Sequence, residues 1–419
     1  MSSNRDLVVR CPFDDSIYGT CTSTTAEQVP ASIARARRAQ ATWAAAPVTD
    51  RARVFRRLAA LILDNRDKIL DTIQAETGKA RLSAFEEVMD ASRAVRVFAG
   101  SAPGLLRPRR RAGAIPVLTR TVEHHRPVGV VGIINPWNYP FNLPASDGAQ
   151  ALLAGNAVVL KPDSQTPFTA LLLAELLTGA GLPDGLFQVL PGSGAELGPA
   201  LVAGVDHLMF TGSTATGRQL ATACAERLIG FSGELGGKNP LLVLDDADLA
   251  TAAAGTVHGA FANTGQVCVG IERAYIHQSV HDEFVDRLVA LVRGLRLGVG
   301  YDWNLAVGSL SSAKQLATVS AHGRPCQRQP VRAERQCVVR APRARGRRPA
   351  AHWNSERQRG LCRGLGVARR SDGWHGRVGR RTAPRRPRPA AVHRAADGQR
   401  PAAAPDPRRR SWATRATRQ

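Results

Sequence analysis

At 419 residues the chain is long enough for two or three domains with buried cores. Its formal charge of +23 is confined to one end: residues 321–419 hold 27 Arg, no Lys and 5 acidic side chains, against 30 basic and 29 acidic ones in residues 1–320. The pointer to nucleic acid or an acidic membrane surface that such a charge ordinarily gives therefore does not apply to the first 320 residues, which have the balance of an ordinary globular protein.

The N-terminus "MSSNRDLVVRCPFDDS" lacks a continuous apolar segment, and no window approaches the roughly 18 uninterrupted apolar residues of a membrane span. Cytoplasmic residence is the expectation. Seven scattered cysteines without a C-x-x-C pair predict reduced thiols rather than zinc or a disulfide framework. From about 28 to 100 the pattern is helical: in "RARVFRRLAALILDNRDKIL", Val54, Leu58, Leu61 and Ile62 share one face of a 3.6-residue period. The basic stretch "RPRRRAGAIPVLTRTVEHHRP" follows and predicts an extended arm or hairpin with solvated charges.

Between 127 and 245, strand-like and helix-like segments alternate. "VGVVGII" and "NAVVLKP" are continuous apolar runs, as strands buried on both faces require, and "PFTALLLAELLTGAG" is a helix stopped by Gly181 and Pro183. "FQVLP" and "VDHLMF" are further strands, "TGSTATG" a turn, and "RQLATACAERL" a helix. The predicted class is α/β, with a parallel-sheet nucleotide-binding domain. "PLLVLDDADL", a helix at 249–262, "RAYIH" and "HDEFVDRLVALVRGLRLG" begin a second α/β domain.

Four segments carry candidate chemistry, each with a plainer alternative. "INPWNYPF" ends a buried strand; it is either a rigid turn or a frame that aims the Asn138 carboxamide at a developing oxyanion. "TGSTATGR" enters a helix, where backbone N–H groups favour an anion such as a pyrophosphate, although such turns often merely cap helices. In "FSGELGGKNP", Glu234 is either a partly desolvated base or a surface charge. In "FANTGQVCVG", Cys268 is either a nucleophile or a small buried hydrophobe, while Cys224 lies on an apolar helix face and is taken as core.

In order, spacing and wording, "PWNYP", "FTGSTATGR", "ELGGKNP" and "GQVCVG", with 34 residues from Glu234 to Cys268, resemble the aldehyde dehydrogenase superfamily. The resemblance runs from about residue 10 to 318 and includes "ETGK" at 76–79. It implies a cofactor-binding domain (1–106 and 127–233), an oligomerisation arm (107–126) and the first part of a catalytic domain (234–318). By the same resemblance Cys268 attacks the aldehyde, Asn138 and the Cys268 N–H hold the oxyanion, and Glu234 activates water for thioester hydrolysis. Lys161 is implied near the adenosine ribose, Gly212, Ser213, Thr214 and Gly217 at the pyrophosphate, and Trp137 and Leu235 along the cofactor path.

Where many NAD-using members have K-P-x-E, this chain has Ser164. Loss of that carboxylate relieves repulsion of a 2′-phosphate that Lys161 could pair with, so NADP is expected, with NAD as the alternative and Asp163 as the residue that opposes the argument. "KPDSQTPFTALLLAEL" looks like the succinate-semialdehyde branch. A carboxylated substrate wants a basic residue in its pocket, but position 146, where related enzymes often carry Arg, is Ser. The expected partner is a small aldehyde, with neither membrane nor nucleic acid; the family forms homo-oligomers, but here the arm at 107–126 has lost its presumed strand partner, which argues against that assembly.

Residues 319–419 are read as a disordered Arg/Pro/Ala-rich tail: from 321 onward there are eight Val or Leu and no Ile, Phe, Met, Tyr or Lys. An E-x-F-G-P segment, which the family uses at the nicotinamide ribose, has no match. The favoured account is translation in a shifted frame beginning between 312 and 325; a genuine nucleic-acid-binding tail is the alternative. Either leaves the catalytic domain incomplete, so an inactive cofactor-binding remnant stands beside the competent enzyme.

Overall fold

The computed structural model describes residues 6–115 and 118–328, with side chains to residue 321. The Arg-rich stretch from 329, on which the nucleic-acid reading and most of the shifted-frame reading rest, lies outside the described residues, whereas the expected start of the shifted frame, 312–325, falls within them. Residues 319–328 do not follow the disordered-tail expectation: they complete a helix that begins at Ala313, on which Leu316 and Val319 continue a helical spacing before the aliphatic residues run out.

A hairpin of β1 (Asp6–Arg10) and β2 (Ile17–Thr22) opens the fold, unannounced by the sequence pattern. Four helices follow, α1 (Val29–Ala45), α2 (Val48–Asp64), α3 (Arg66–Thr77) and α4 (Arg81–Leu105). On α2 the predicted stripe is the buried one: Val54, Phe55, Leu58 and Ile62 face α4 and the core, while Leu61 is half-buried at its edge. Each such side chain contributes about 1.5–3 kcal/mol by leaving water. α3 stops at Gly78, whose left-handed φ of 69° favours glycine, and the Gly78 carbonyl accepts a hydrogen bond from the Ser309 N–H at 2.9 Å. The loop at 308–309 is thereby docked beside the "ETGK" turn. The basic arm is an exposed hairpin, β3 (Arg109–Arg111) with β4 (Thr121–Glu123).

The central layer consists of β5 (Val130–Ile134), α5 (Asn142–Leu153), β6 (Ala157–Lys161), α6 (Pro167–Gly179), β7 (Phe187–Val189), α7 (Gly194–Gly204), β8 (His207–Gly212), α8 (Thr214–Glu226) and β9 (Gly230–Leu235). All five strands are parallel, in the order β7-β6-β5-β8-β9. Every residue of β5 and β6 is buried, which explains why their sequences do not alternate. β9 pairs with β8 up to Leu235, so the five-stranded sheet continues through the expected domain boundary at 233/234 and includes Glu234.

Beyond it, β10 (Asn239–Val243) pairs in parallel with β11 (Ile271–Ile276). α9 (Leu249–Phe261) and α10 (His281–Arg293) pack on this pair around a small separate core of Val243, Ala253 and Phe284. α11 (Ala313–Arg328) ends the described chain.

Candidate active site

From β5 the chain steps outward to β6 and β7, then returns past β5 to β8 and β9. At this reversal the connections leave on opposite faces of the sheet and open a crevice at the carboxyl ends of the strands. A cleft of about 770 Å³ lies there, lined by Asn135 and Trp137 after β5, Lys161 and Ser164 after β6, and Gly212 and Ser213 after β8. Lys161 is buried, and among the described residues its ammonium has neither a hydrogen bond nor an ion pair. Burial pulls its pKa down, with Asp163 opposing. A buried, unpaired cation beside a helix N-terminus fits an anionic ligand.

The predicted Gly-rich turn is shorter than expected. Thr211 and Gly212 belong to β8, and α8 starts at Thr214, leaving Ser213 alone between strand and helix. The Ser213 hydroxyl accepts from the Thr216 N–H at 3.2 Å, so it caps the helix as it borders the cleft. Thr214 is exposed, and it is Thr216 rather than Thr214 that lines the cleft. Gly217 is required by packing: a Cβ there would come within 2.6 Å of Leu235 Cδ2. Leu235 therefore lies against α8 while 37% exposed.

The turn after β5 carries Asn138. Its Nδ2 donates to the Gln266 carbonyl at 2.9 Å, and its own carbonyl accepts from Lys79 Nζ at 2.7 Å and Asn263 Nδ2 at 3.1 Å. The Asn138 Oδ1 is buried without a partner among the described residues. This turn and the one preceding Cys268, though 128 residues apart, are thus hydrogen-bonded together.

Cys268 sits between the 3₁₀ turn Ala262–Gly265 and β11, and it is exposed rather than a small core residue. Its carbonyl accepts from Asn239 Nδ2 at 2.8 Å, and the same group reaches the Gly270 carbonyl at 2.9 Å. Asn239 lies five residues after Glu234, so the two predicted catalytic segments are joined through it. Glu234 itself is exposed on β9. Of the two readings given for Glu234, the partly desolvated base is not met and the surface charge is, because the described residues packed around β9 leave its acidic side chain to solvent.

Residues 1–327 match the family model described as "Aldehyde dehydrogenase family". The chain belongs to the aldehyde dehydrogenase family. Among curated relatives of this aldehyde dehydrogenase family member, a protein of Mycolicibacterium smegmatis named "Putative succinate-semialdehyde dehydrogenase (NADP(+))" is 52% identical over 298 residues, covering 71% of this chain and 58% of that protein. A 4,4'-diapolycopene aldehyde oxidase of Methylomonas is 39% identical, over 74% of this chain and 59% of its own length. The chain thus spans a little over half the length of these relatives. Among solved structures, an E. coli NADP dependent enzyme is 35% identical with a TM-score of 0.73, covering 76% of this chain and 66% of that one. A NAD-dependent benzaldehyde dehydrogenase of Corynebacterium glutamicum is 33% identical with a TM-score of 0.74, over 78% and 72%.

Sequence reasoning missed several residues of this family member's site. Lys79 and Glu87 form an ion pair at 2.6 Å whose side chains are both fully buried. Burial pulls the Lys79 ammonium down, against the pull of Glu87. Asp147 on α5 accepts from Asn135 Nδ2 at 3.2 Å; burial, with the Glu234 charge as a lesser cause, pushes it up to about 6 against that hydrogen bond. Asn263 is buried, and with Thr264 it adopts left-handed φ values of 51° and 59°. Lys314 of α11 borders the cleft. Of these, "ETGK" was the one visible signal, as a motif without a role; the partners of Lys79 are 8 and 59 residues away.

Proposed function

We propose that this chain oxidises an aldehyde through Cys268, with NADP as the hydride acceptor and succinic semialdehyde as the substrate. The observation that carries the reading is the junction of the Asn138 turn with the Cys268 turn, beside a cleft whose buried Lys161 makes no hydrogen bond or ion pair among the described residues. In the first step the Cys268 thiolate attacks the carbonyl carbon, and the C=O pair moves onto oxygen. The oxyanion accepts from the Asn138 carboxamide, which has a second N–H beyond the one given to Gln266, and from the Cys268 N–H. When bound, NADP supplies the site that accepts the hydride from the tetrahedral carbon. Glu234 then takes a proton from the water that attacks the thioester; its exposure gives water direct access. The C–S bond breaks, the carboxylic acid leaves and the thiolate is restored.

NADP is preferred over NAD because Ser164 adds no negative charge, and Lys161 and Lys314 border the same cleft as cationic partners for a 2′-phosphate. Asp163, also at the cleft, works against it. The mycobacterial relatives named for succinic semialdehyde and NADP support both choices. The deciding experiment is NADPH formation on adding succinic semialdehyde, compared between the wild type and Cys268→Ala. Turnover lost in the variant supports the reading; absence of turnover in the wild type overturns it. Cofactor binding without turnover is the second reading, favoured by the exposure of both Cys268 and Glu234.

A further inference from the structure

The Lys79–Glu87 pair has no contact with the cleft and is fully buried. A buried ion pair is a poor stabiliser, because desolvation of both charges offsets their attraction. Its contacts point to another use. Lys79 Nζ spends one donor on Glu87 Oε2 and one on the Asn138 carbonyl, and it lies 4.5 Å from the centre of the Tyr139 ring. Glu87 Oε1 accepts the N–H groups of Phe141 and Asn142, at 2.8 and 3.1 Å. The pair therefore grips the 138–142 turn at both ends.

Four residues before Glu87, on the same face of α4, the Ser83 hydroxyl accepts the Asn263 N–H at 3.1 Å. Asn263 Nδ2 in turn donates to the carbonyls of Asn138 and Gln266, at 3.1 and 3.2 Å. One helix thus holds both turns, and the left-handed backbone at Asn263 and Thr264, costly for non-glycine residues, persists under these contacts.

We propose that Lys79 and Glu87 are positioning residues: acting through the Asn138 peptide, they set the direction of the Asn138 carboxamide relative to Cys268. This rests on the reading of Asn138 as the oxyanion donor. The test is a cycle of Asn138→Ala, the neutralised pair Lys79→Met/Glu87→Gln, and all three together. Neutralising both charges avoids stranding one in the core; Glu87→Asp, which keeps the charge but shortens its reach, is the second variant should the first fail to fold.

Each of the first two is expected to lower kcat about 100-fold, the scale of a lost oxyanion donor, with aldehyde KM and NADP Kd within about twofold. The combined variant should be no worse than Asn138→Ala alone, since the pair acts only through that residue. Losses that multiply, or a pair variant with wild-type kcat, overturn the proposal. Amide hydrogen exchange gives a readout independent of turnover: peptides covering 136–142 and 262–268 should lose protection together in the pair variant, while β6 and β8 keep theirs. Loss in the first peptide only, or in neither, also overturns it. If the wild type oxidises no aldehyde, the functional reading fails by itself, and the exchange result still decides whether the pair joins the two turns.

Discussion

The cleft side and the Cys268 side of this molecule are built differently. Around the cleft, the parallel sheet and helices α1–α8 bury one continuous apolar core, and Lys161, Gly212 and Gly217 are carried on its strand ends and helix. Around Cys268 the apolar core contains three buried residues, Val243, Ala253 and Phe284, and position is maintained by side-chain amides: Asn239 on the Cys268 and Gly270 carbonyls, Asn138 and Asn263 on the Gln266 carbonyl. A deep core makes a cleft that tolerates local change. A site held by a few hydrogen bonds loses its geometry when one is removed.

The largest expected separation of the two sides comes from Cys268→Ala, which should abolish aldehyde-dependent NADPH formation by at least about 1,000-fold. NADP affinity, measured by titrating tryptophan fluorescence, should stay within about twofold because Cys268 lies outside the cleft lining. A matching loss of affinity would mean the two sides are not separable.

Core truncation sharpens the contrast. Leu58→Ala in the large core should cost about 2–5 kcal/mol of global stability in urea unfolding. Phe284→Ala, at about 3–5 kcal/mol, exceeds what a three-residue core can lose, so it should expose the β10–β11 region to proteolysis while the central sheet stays folded. Simultaneous loss of both regions in the Phe284 variant would contradict that independence.

The large core also carries a pH effect. Glu76 is buried and accepts from the N–H groups of Phe168 and Thr169 at the start of α6 and from the Thr169 hydroxyl; burial pushes its carboxyl up to about 8, from 4.5, against these hydrogen bonds. The unfolded chain sheds this proton near pH 4.5 and the folded chain only near 8, so stability attributable to this group is highest below 4.5 and falls as pH rises between those values. Glu76→Gln, which cannot ionise, should flatten that slope in denaturant titrations across the same range. An unchanged slope would remove Glu76 as its source.

The smallest effect tests the cleft's edge. Lys314→Ala should reduce kcat/KM for NADP about 5-fold, the scale of a partly solvated charge pair, and leave NAD unchanged. Equal losses with both cofactors would assign Lys314 to packing instead.

Much of this architecture was legible beforehand wherever adjacent residues share one environment. The unbroken apolar runs of β5 and β6 announced strands covered on both faces, and the stripe of Val54, Leu58 and Ile62 announced the buried face of α2. The β1–β2 hairpin was not legible, since every residue of β2 is exposed or half-buried and none belongs to an apolar run. Nor was the exposure of Glu234, which depends on what packs around β9. Ser213 announced a turn but not that one residue would suffice.

By itself, the chain's own order of residues determined the helices and the buried strands of the central sheet and which short motifs carry chemical groups, because periodicity, turn chemistry and spacing act over a few neighbours. Only the tertiary structure decided that Lys79 and Glu87 meet in the core and reach the Asn138 turn, and that Asn239 holds the Cys268 carbonyl. Those contacts span 8 to 59 residues, and the free energy that makes them arises from desolvation and hydrogen-bond geometry, which exist once packing has excluded water.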